Sequence, residues 1–360
     1  MKKKIQVIVG LLIGLFLMWF LFRDTQWGDV WAAFKNADSR WLLVGLFVIL
    51  LGFVVRIWRW SYIVNPVTPV PFWRLFSATQ IGFLGNFVLP ARIGEVIRAL
   101  ALSRSQKIPF PQTMAYVALD RLTDLFGLAA VFILTLFFFY PQQDVYLPEE
   151  FRNLYADPIS KDMLRKMVYT LTFAVIIGVL MLMILFAKKE LILSLSDKIL
   201  GLVSKKLANF VHKIVVNFTA GMQILTSYGN LAKSGGISLL LWGTFALSQM
   251  AMYKAFGIDL PWYAPFVVLS VLSILISIPG PPGFIGPFHA GIVGGLILVS
   301  PEINLNTARA VAIVAHLYNL IPILIIGVIC LFFERIELGE LSRKGEAIVA
   351  AGSEEDSNPS

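Results

Sequence analysis

Residues 167–187 form a run of 21 positions without a charged side chain. As a helix this run is about 31 Å long, enough to cross the ~30 Å hydrocarbon core of a bilayer. Comparable apolar runs occur at 5–22, 41–64, 236–256 and 307–333. Inside lipid every backbone polar group must be satisfied within the protein, so such a chain folds as helices. Composition agrees: 58% of residues are hydrophobic and 14% charged, against about half and about a quarter in soluble domains. The expected fold is an all-α integral membrane protein, a polytopic helical bundle with about 7–8 membrane segments.

The basic residues orient that bundle. A path with both termini in the cytoplasm puts 20 lysines and arginines in inner segments and 7 in outer loops, as the positive-inside rule requires. The net charge of +8 is then accounted for by inner loops facing anionic inner-leaflet lipid, and no nucleic-acid partner is implied. Residues 23–40 read as a short polar connection and 141–166 as an exterior loop. The aromatic and basic end of the second span, Arg56, Trp58, Arg59, Trp60 and Tyr62, reads as a membrane interface. Residues 188–233 read as an amphipathic helical segment on the inner surface. Residues 1–335 form the transmembrane domain and 336–360 a charged, partly disordered cytoplasmic tail. The expected location is the cell membrane, a bacterial inner or archaeal plasma membrane.

Two segments break the apolar pattern, one in each half. The first, 72–104, turns at Pro90. The second, 262–299, is interrupted at Pro279-Gly280-Pro281-Pro282-Gly283. Paired interruptions point to a transport site near the bilayer centre, whether the broken elements span or re-enter. Asn86 to Arg104 also carries charge at depth, where it is costly and marks a site by default. Arg92 and Arg98 flank the start of a short helix, whose free amides and dipole suit an anion such as phosphate. Glu95, three residues from each, is placed to hold them. In the following helix Asp120 and Asp124 share a face and Arg121 points about 100° away. These residues either bind a ligand or form a structural ion cluster tying a broken helix together.

Other chemistry is poorly represented. Cys330 is the single cysteine, which excludes an internal disulfide or a cysteine metal cluster. His212, His289 and His316 are far apart and show no ligand spacing. No metal or cofactor is expected.

The motifs L-P-A-R-I-G-E-V-I-R (Leu89 to Arg98), D-R-L-T-D-L (Asp120 to Leu125) and P-P-G-F-I-G-P-F-H (Pro281 to His289) resemble those of the flippase-like transmembrane domain of lysylphosphatidylglycerol synthases. In that family the third motif often ends in glutamate, where this chain has His289. The soluble domain that transfers lysine in the full-length synthases has no counterpart in the 25 residues after Arg335.

The resemblance implies a non-enzymatic lipid translocase. Its substrate is expected to be an amphiphile with an anionic headgroup, a phospholipid or a polyprenyl-phosphate-linked lipid. Arg92 and Arg98 would neutralise the phosphate, with Arg121 as a further cation. Glu95, Asp120 and Asp124 would orient those arginines or meet a cationic headgroup. Asn86 either contacts the headgroup or caps the turn. The turn containing Gly283 supplies backbone amides, and His289 either titrates or is hydrogen-bonded within it. Two other classes stay open. One is a membrane-embedded glycosyl- or aminoacyl-transferase, in which the three carboxylates bind a divalent metal or act as bases. The other is a non-transporting partner in an envelope pathway.

Overall fold

The computed structural model describes residues 12, 14–89, 93–141, 144–146, 157–187, 228–277 and 281–355. Among them the chain is helical, apart from an isolated antiparallel bridge between Val145 and Ile159. A helical stretch at 14–22 leads into α1 (Trp27–Asn36), α2 (Ser39–Val64), α3 (Phe72–Val88), α4 (Gly94–Gln106) and α5 (Phe110–Phe138). After these come α6 (Lys161–Ala187), α7 (Tyr228–Ala255), α8 (Ala264–Ser277), α9 (Pro287–Val299), α10 (Leu305–Glu334) and α11 (Leu338–Glu355). Local chemistry sets several boundaries. Asp38 caps α2 by accepting from the Arg40 amide, Asn304 caps α10, and proline occupies the first turns of α5 and α9.

Among the described residues, five stretches are long and apolar enough to cross a membrane: Ser39–Val64, Phe110–Phe138, Ala232–Ala255, Pro282–Val299 and Leu305–Glu334. The fourth does not cross as one helix. Its backbone turns left-handed at Gly283 (φ 67°) and Gly286 (φ 94°), leaving the 13 residues of α9, about 20 Å of helix.

Both interrupted elements are antiparallel hairpins. In the first, α3 and α4 touch backbone to backbone: a Cβ on Gly94 would lie 2.2 Å from the Gly82 carbonyl oxygen, and one on Gly82 2.6 Å from Arg98 Cβ. In the second, Cβ atoms on Gly291 and Gly295 would lie 2.7 Å from the Cα atoms of Leu272 and Val268, running α9 back along α8. Each arm has 13 to 17 residues, roughly 20 to 26 Å, short of a full crossing. Each broken element therefore reverses its direction within the bundle.

The hairpins enter from opposite faces. Helix α7 runs antiparallel to α2, with the Ser248 hydroxyl donating to the Gly45 carbonyl, the Asp38 amide donating to the Ala255 carbonyl, and Lys233 over the Tyr62 ring. Trp262 against Phe138 (4.5 Å) puts the entry to α8 beside the end of α5. Arg74 with Glu334 (2.6 Å) puts the start of α3 beside the end of α10. The order span, hairpin, span thus occurs twice with opposite direction, as α2–α3/α4–α5 and α7–α8/α9–α10. This is an inverted-topology repeat. The tips meet inside the bundle: Phe87 of the first packs on Gly283 and on Phe284 (5.9 Å) of the second.

Three stretches carry more helix than the sequence suggests. The stretch 23–40 is not merely a polar connection, because it contains α1, whose Trp27, Trp31 and Phe34 are exposed. The supposed loop 141–166 gives way to α6 from Lys161. The tail forms α11, which packs on α4 through Arg104 and Glu340. The predicted amphipathic segment lies outside the described residues except for its last turns, which begin α7.

Candidate functional site

Three helices converge their charges at the first hairpin. Asp120 and Asp124 lie 10 and 14 residues into α5, about 15 and about 21 Å along a helix of roughly 43 Å. That places them about one third and one half of the way along the helix, four residues apart and on one face, as the sequence predicts. Asp120 is fully buried and accepts from two arginines: Arg59 of α2 at 2.7 Å and Arg98 of α4 at 2.7 Å. Arg59 also reaches Asp124 at 2.6 Å and donates to the Ser238 hydroxyl of α7 at 2.9 Å. The two aspartates therefore tie α2, α4, α5 and α7 at one point.

Arg98 is held from a second direction. Its guanidinium lies 3.6 Å from the centre of the Trp60 ring, and a desolvated cation–π contact of this kind stabilises by about 2 kcal/mol. Trp60 is itself fixed by donating its indole N–H to the Tyr116 carbonyl. Nε and Nη2 of Arg98 are nonetheless buried with no hydrogen-bond partner among the described residues. Unpaired buried donors are uncommon and call for an explanation.

Around this core lies a more accessible edge. Arg121 pairs with Glu95 at 2.5 Å and Asp124 at 3.3 Å, and its side chain is 39% exposed. Arg56 reaches Asp124 at 3.5 Å and sits between the rings of Phe83 and Phe245. The described cluster thus has four guanidiniums, Arg56, Arg59, Arg98 and Arg121, against three carboxylates, Glu95, Asp120 and Asp124. Its formal charge is one positive.

The remaining predicted site residues lie as follows. Arg92 lies outside the described residues. Glu95 pairs with Arg121, which turns back toward Glu95 and Asp124. Asn86 caps the turn, its Oδ1 accepting from the Gly94 amide at 2.9 Å. Gly283 contributes its carbonyl, bonded to His316 Nε2 at 2.8 Å. His289 is buried in the first turn of α9 with Nδ1 unpartnered, so it is not fixed by a hydrogen bond at that atom.

Sequence reasoning missed Arg56, Arg59 and Trp60, which it placed at the membrane interface. Arg59 and Trp60 are fully buried, because α7 and α5 cover that end of α2. The usable signal was the three-residue interval between Arg56 and Arg59, which puts both arginines on one helical face. His316 shows no ligand spacing in the sequence, yet its ring centre lies 4.7 Å from that of His289. His212 lies outside the described residues. No group of three or more potential metal ligands occurs among the described residues, and Glu95, Asp120 and Asp124 are each engaged by arginine.

Comparison with known proteins places these residues in context. The family described as Lysylphosphatidylglycerol synthase TM region matches residues 7–327, which include the charge cluster and both hairpins. The chain is similar to Glycosyltransferase AglD of Haloferax volcanii, 22% identical over 333 residues. That match covers 87% of this chain and 52% of the relative, so the chain spans about half the length of that protein. No solved structure matches the chain.

Proposed function

This chain belongs to the lysylphosphatidylglycerol synthase TM region family, and from that premise we propose that it is a translocase, not an enzyme. Its substrate is an amphiphilic lipid with an anionic headgroup, a phospholipid or a polyprenyl-phosphate-linked lipid. The observation that carries this reading is the charge imbalance at the cluster: among the described residues, four guanidiniums face three carboxylates, and two buried donors of Arg98 have no partner. A phosphate supplies the missing negative charge and accepts from the guanidinium edge in paired, charge-assisted hydrogen bonds.

The headgroup enters beside Arg121 and Glu95, the accessible edge, while its tails stay in lipid. The carboxylates keep the arginines oriented and limit the affinity, so that the headgroup also leaves. Two hairpins entering from opposite faces suit alternating access, in which one repeat rocks against the other around a central site. In this reading both termini face the cytoplasm of a bacterial or archaeal cell, and the basic inner loops contact anionic lipid.

Scrambling in proteoliposomes tests the proposal, with labelled phosphatidylglycerol and a short polyprenyl phosphate compared side by side. Wild type should move one of them, and Arg98→Lys and Arg121→Gln should each slow it by about tenfold or more at equal incorporation. Wild-type rates in both variants would remove the cluster from the mechanism. The name of the Haloferax volcanii relative favours a second reading, transfer of a sugar onto a lipid carrier. Turnover of a labelled sugar donor by purified protein, without scrambling, would select it. The paired state of all three carboxylates supports translocation over that chemistry.

A further inference from the structure

We propose that His289 and His316 form a proton-binding site that controls the contact between the two hairpin tips. Through that contact the proton gradient is coupled to the translocation proposed above, a step that rests on that reading. The two residues are remote in sequence, and the fold places them where both hairpins converge. His289 opens α9, the returning arm of the second hairpin, and His316 lies 11 residues into α10. Their rings meet edge to face at 4.7 Å.

His316 touches both tips at once. Its Nε2 lies 2.8 Å from the Gly283 carbonyl, so Nε2–H donates to the second tip. Its ring stacks on Phe87 of the first tip at 6.2 Å and 25°. That second tip is strained: Gly283 and Phe284 are consecutive left-handed residues, with φ of 67° and 58°, and a bulky residue rarely adopts that conformation.

The surroundings make the pair sensitive to charge. Phe22 and Phe288 pack on His289, and Phe87 and Phe288 on His316. No carboxylate bonds to either ring among the described residues. The charged groups on the packing elements are engaged elsewhere. Arg23, next to Phe22, pairs with Asp24. Arg309 of α10 donates to the Leu21 carbonyl and to Asn306. Arg74 of α3 pairs with Glu334 of α10 at the far end of both helices, and α8 and α9 carry no charged residue. Among the described residues, each ring therefore has the other as its titratable neighbour.

Histidine is the side chain that changes charge in the physiological range. A proton taken up here puts positive charge among phenylalanines with no counter-ion, at a cost that hydration relieves. Parting Phe87 from Gly283 and Phe284 admits water to the rings. Protonation thus favours parted tips, and deprotonation favours the closed contact.

Spin labels at Val88→Cys and Ile285→Cys, in a Cys330→Ala background in nanodiscs, report the separation directly; both positions are exposed beside the tips. Between about pH 8 and about pH 5 the wild-type pair should shift from a short distance to a longer one, by about tenfold in population ratio. The His289→Gln/His316→Gln variant should keep the short distance throughout. No shift in wild type, or an equal shift in that variant, overturns the proposal. If the double variant lacks the short distance at high pH, the single variants decide: a reduced shift in either supports the site, and an undiminished shift in both overturns it. A pH-dependent shift in protein that scrambles no lipid leaves the tip switch standing and removes the translocation reading. Scrambling without the shift does the reverse.

Discussion

Arg98 and Asp120 meet at 2.7 Å across the joint between the first hairpin and α5, both buried. Arg98 is the fifth residue of α4, close to a hairpin tip, while Asp120 sits about a third of the way along α5. This pair and the Arg59–Asp120 pair fix the first hairpin to the long helices, and consequences for stability follow.

Asp120→Asn should destabilise the protein by about 3–5 kcal/mol, because it leaves Arg98 buried without a carboxylate partner and Arg59 with Asp124 alone. Arg98→Gln alone should be comparably costly. The double variant should cost clearly less than the sum, since neither remaining side chain then carries a charge at that contact. Unfolding midpoints in detergent provide the cycle, and strict additivity would show that the pair does not act as a unit.

Backbone contact in the first hairpin gives a sharper contrast. Gly94→Ala places a methyl 2.2 Å from the Gly82 carbonyl oxygen and against Asn86, so α3 and α4 must separate and folded yield should collapse. Gly243→Ala meets nothing within 4 Å and should be neutral or stabilising by up to about 1 kcal/mol through helix propensity. Similar folded yields for the two would contradict the close hairpin.

The tip-to-tip arrangement has its own check. Phe87→Cys and Phe284→Cys, in a Cys330→Ala background, should be joined by a short thiol-reactive cross-linker, because the native rings lie 5.9 Å apart. Pairing Phe87→Cys with Trp262→Cys should give no product, since Trp262 packs at the entry to the second hairpin. The opposite pattern would mean that the interrupted segments cross the membrane.

Outside the spans, hydrogen bonds from Lys344 and Arg104 pull the Glu340 carboxyl down to about 2 from its ordinary 4.5. A lowered acid strengthens docking above its unfolded value and loses that contribution as pH falls through the folded one. The contact of α11 with α4 should therefore loosen progressively from about pH 4.5 toward about pH 2. Glu340→Gln should loosen it already at neutral pH, and salt should weaken the wild-type contact because the pair is exposed. The mobility of a spin label at Glu346→Cys, with Cys330→Ala, reads both effects. Equal mobility in wild type and Glu340→Gln at neutral pH would place the docking energy in apolar contacts instead.

Much of this protein is determined by sequence alone. Uncharged runs long enough to cross a bilayer dictate helices, because lipid offers the backbone no partner. Proline and glycine at the two interruptions mark where those helices break, and the four-residue interval from Asp120 to Asp124 puts both carboxylates on one face. Other features belong only to the tertiary structure. Arg59 lies in a stretch that reads as membrane interface, and it becomes a buried ligand of Asp120 only when α5 and α7 cover it. Likewise, His289 and His316, 27 residues apart in the chain, meet because α9 folds back along α8 and α10 then passes the tip. Local pattern fixes where a helix forms and which residues share its face. Which faces meet depends on the direction of each hairpin and on long-range packing, which no interval in the sequence encodes.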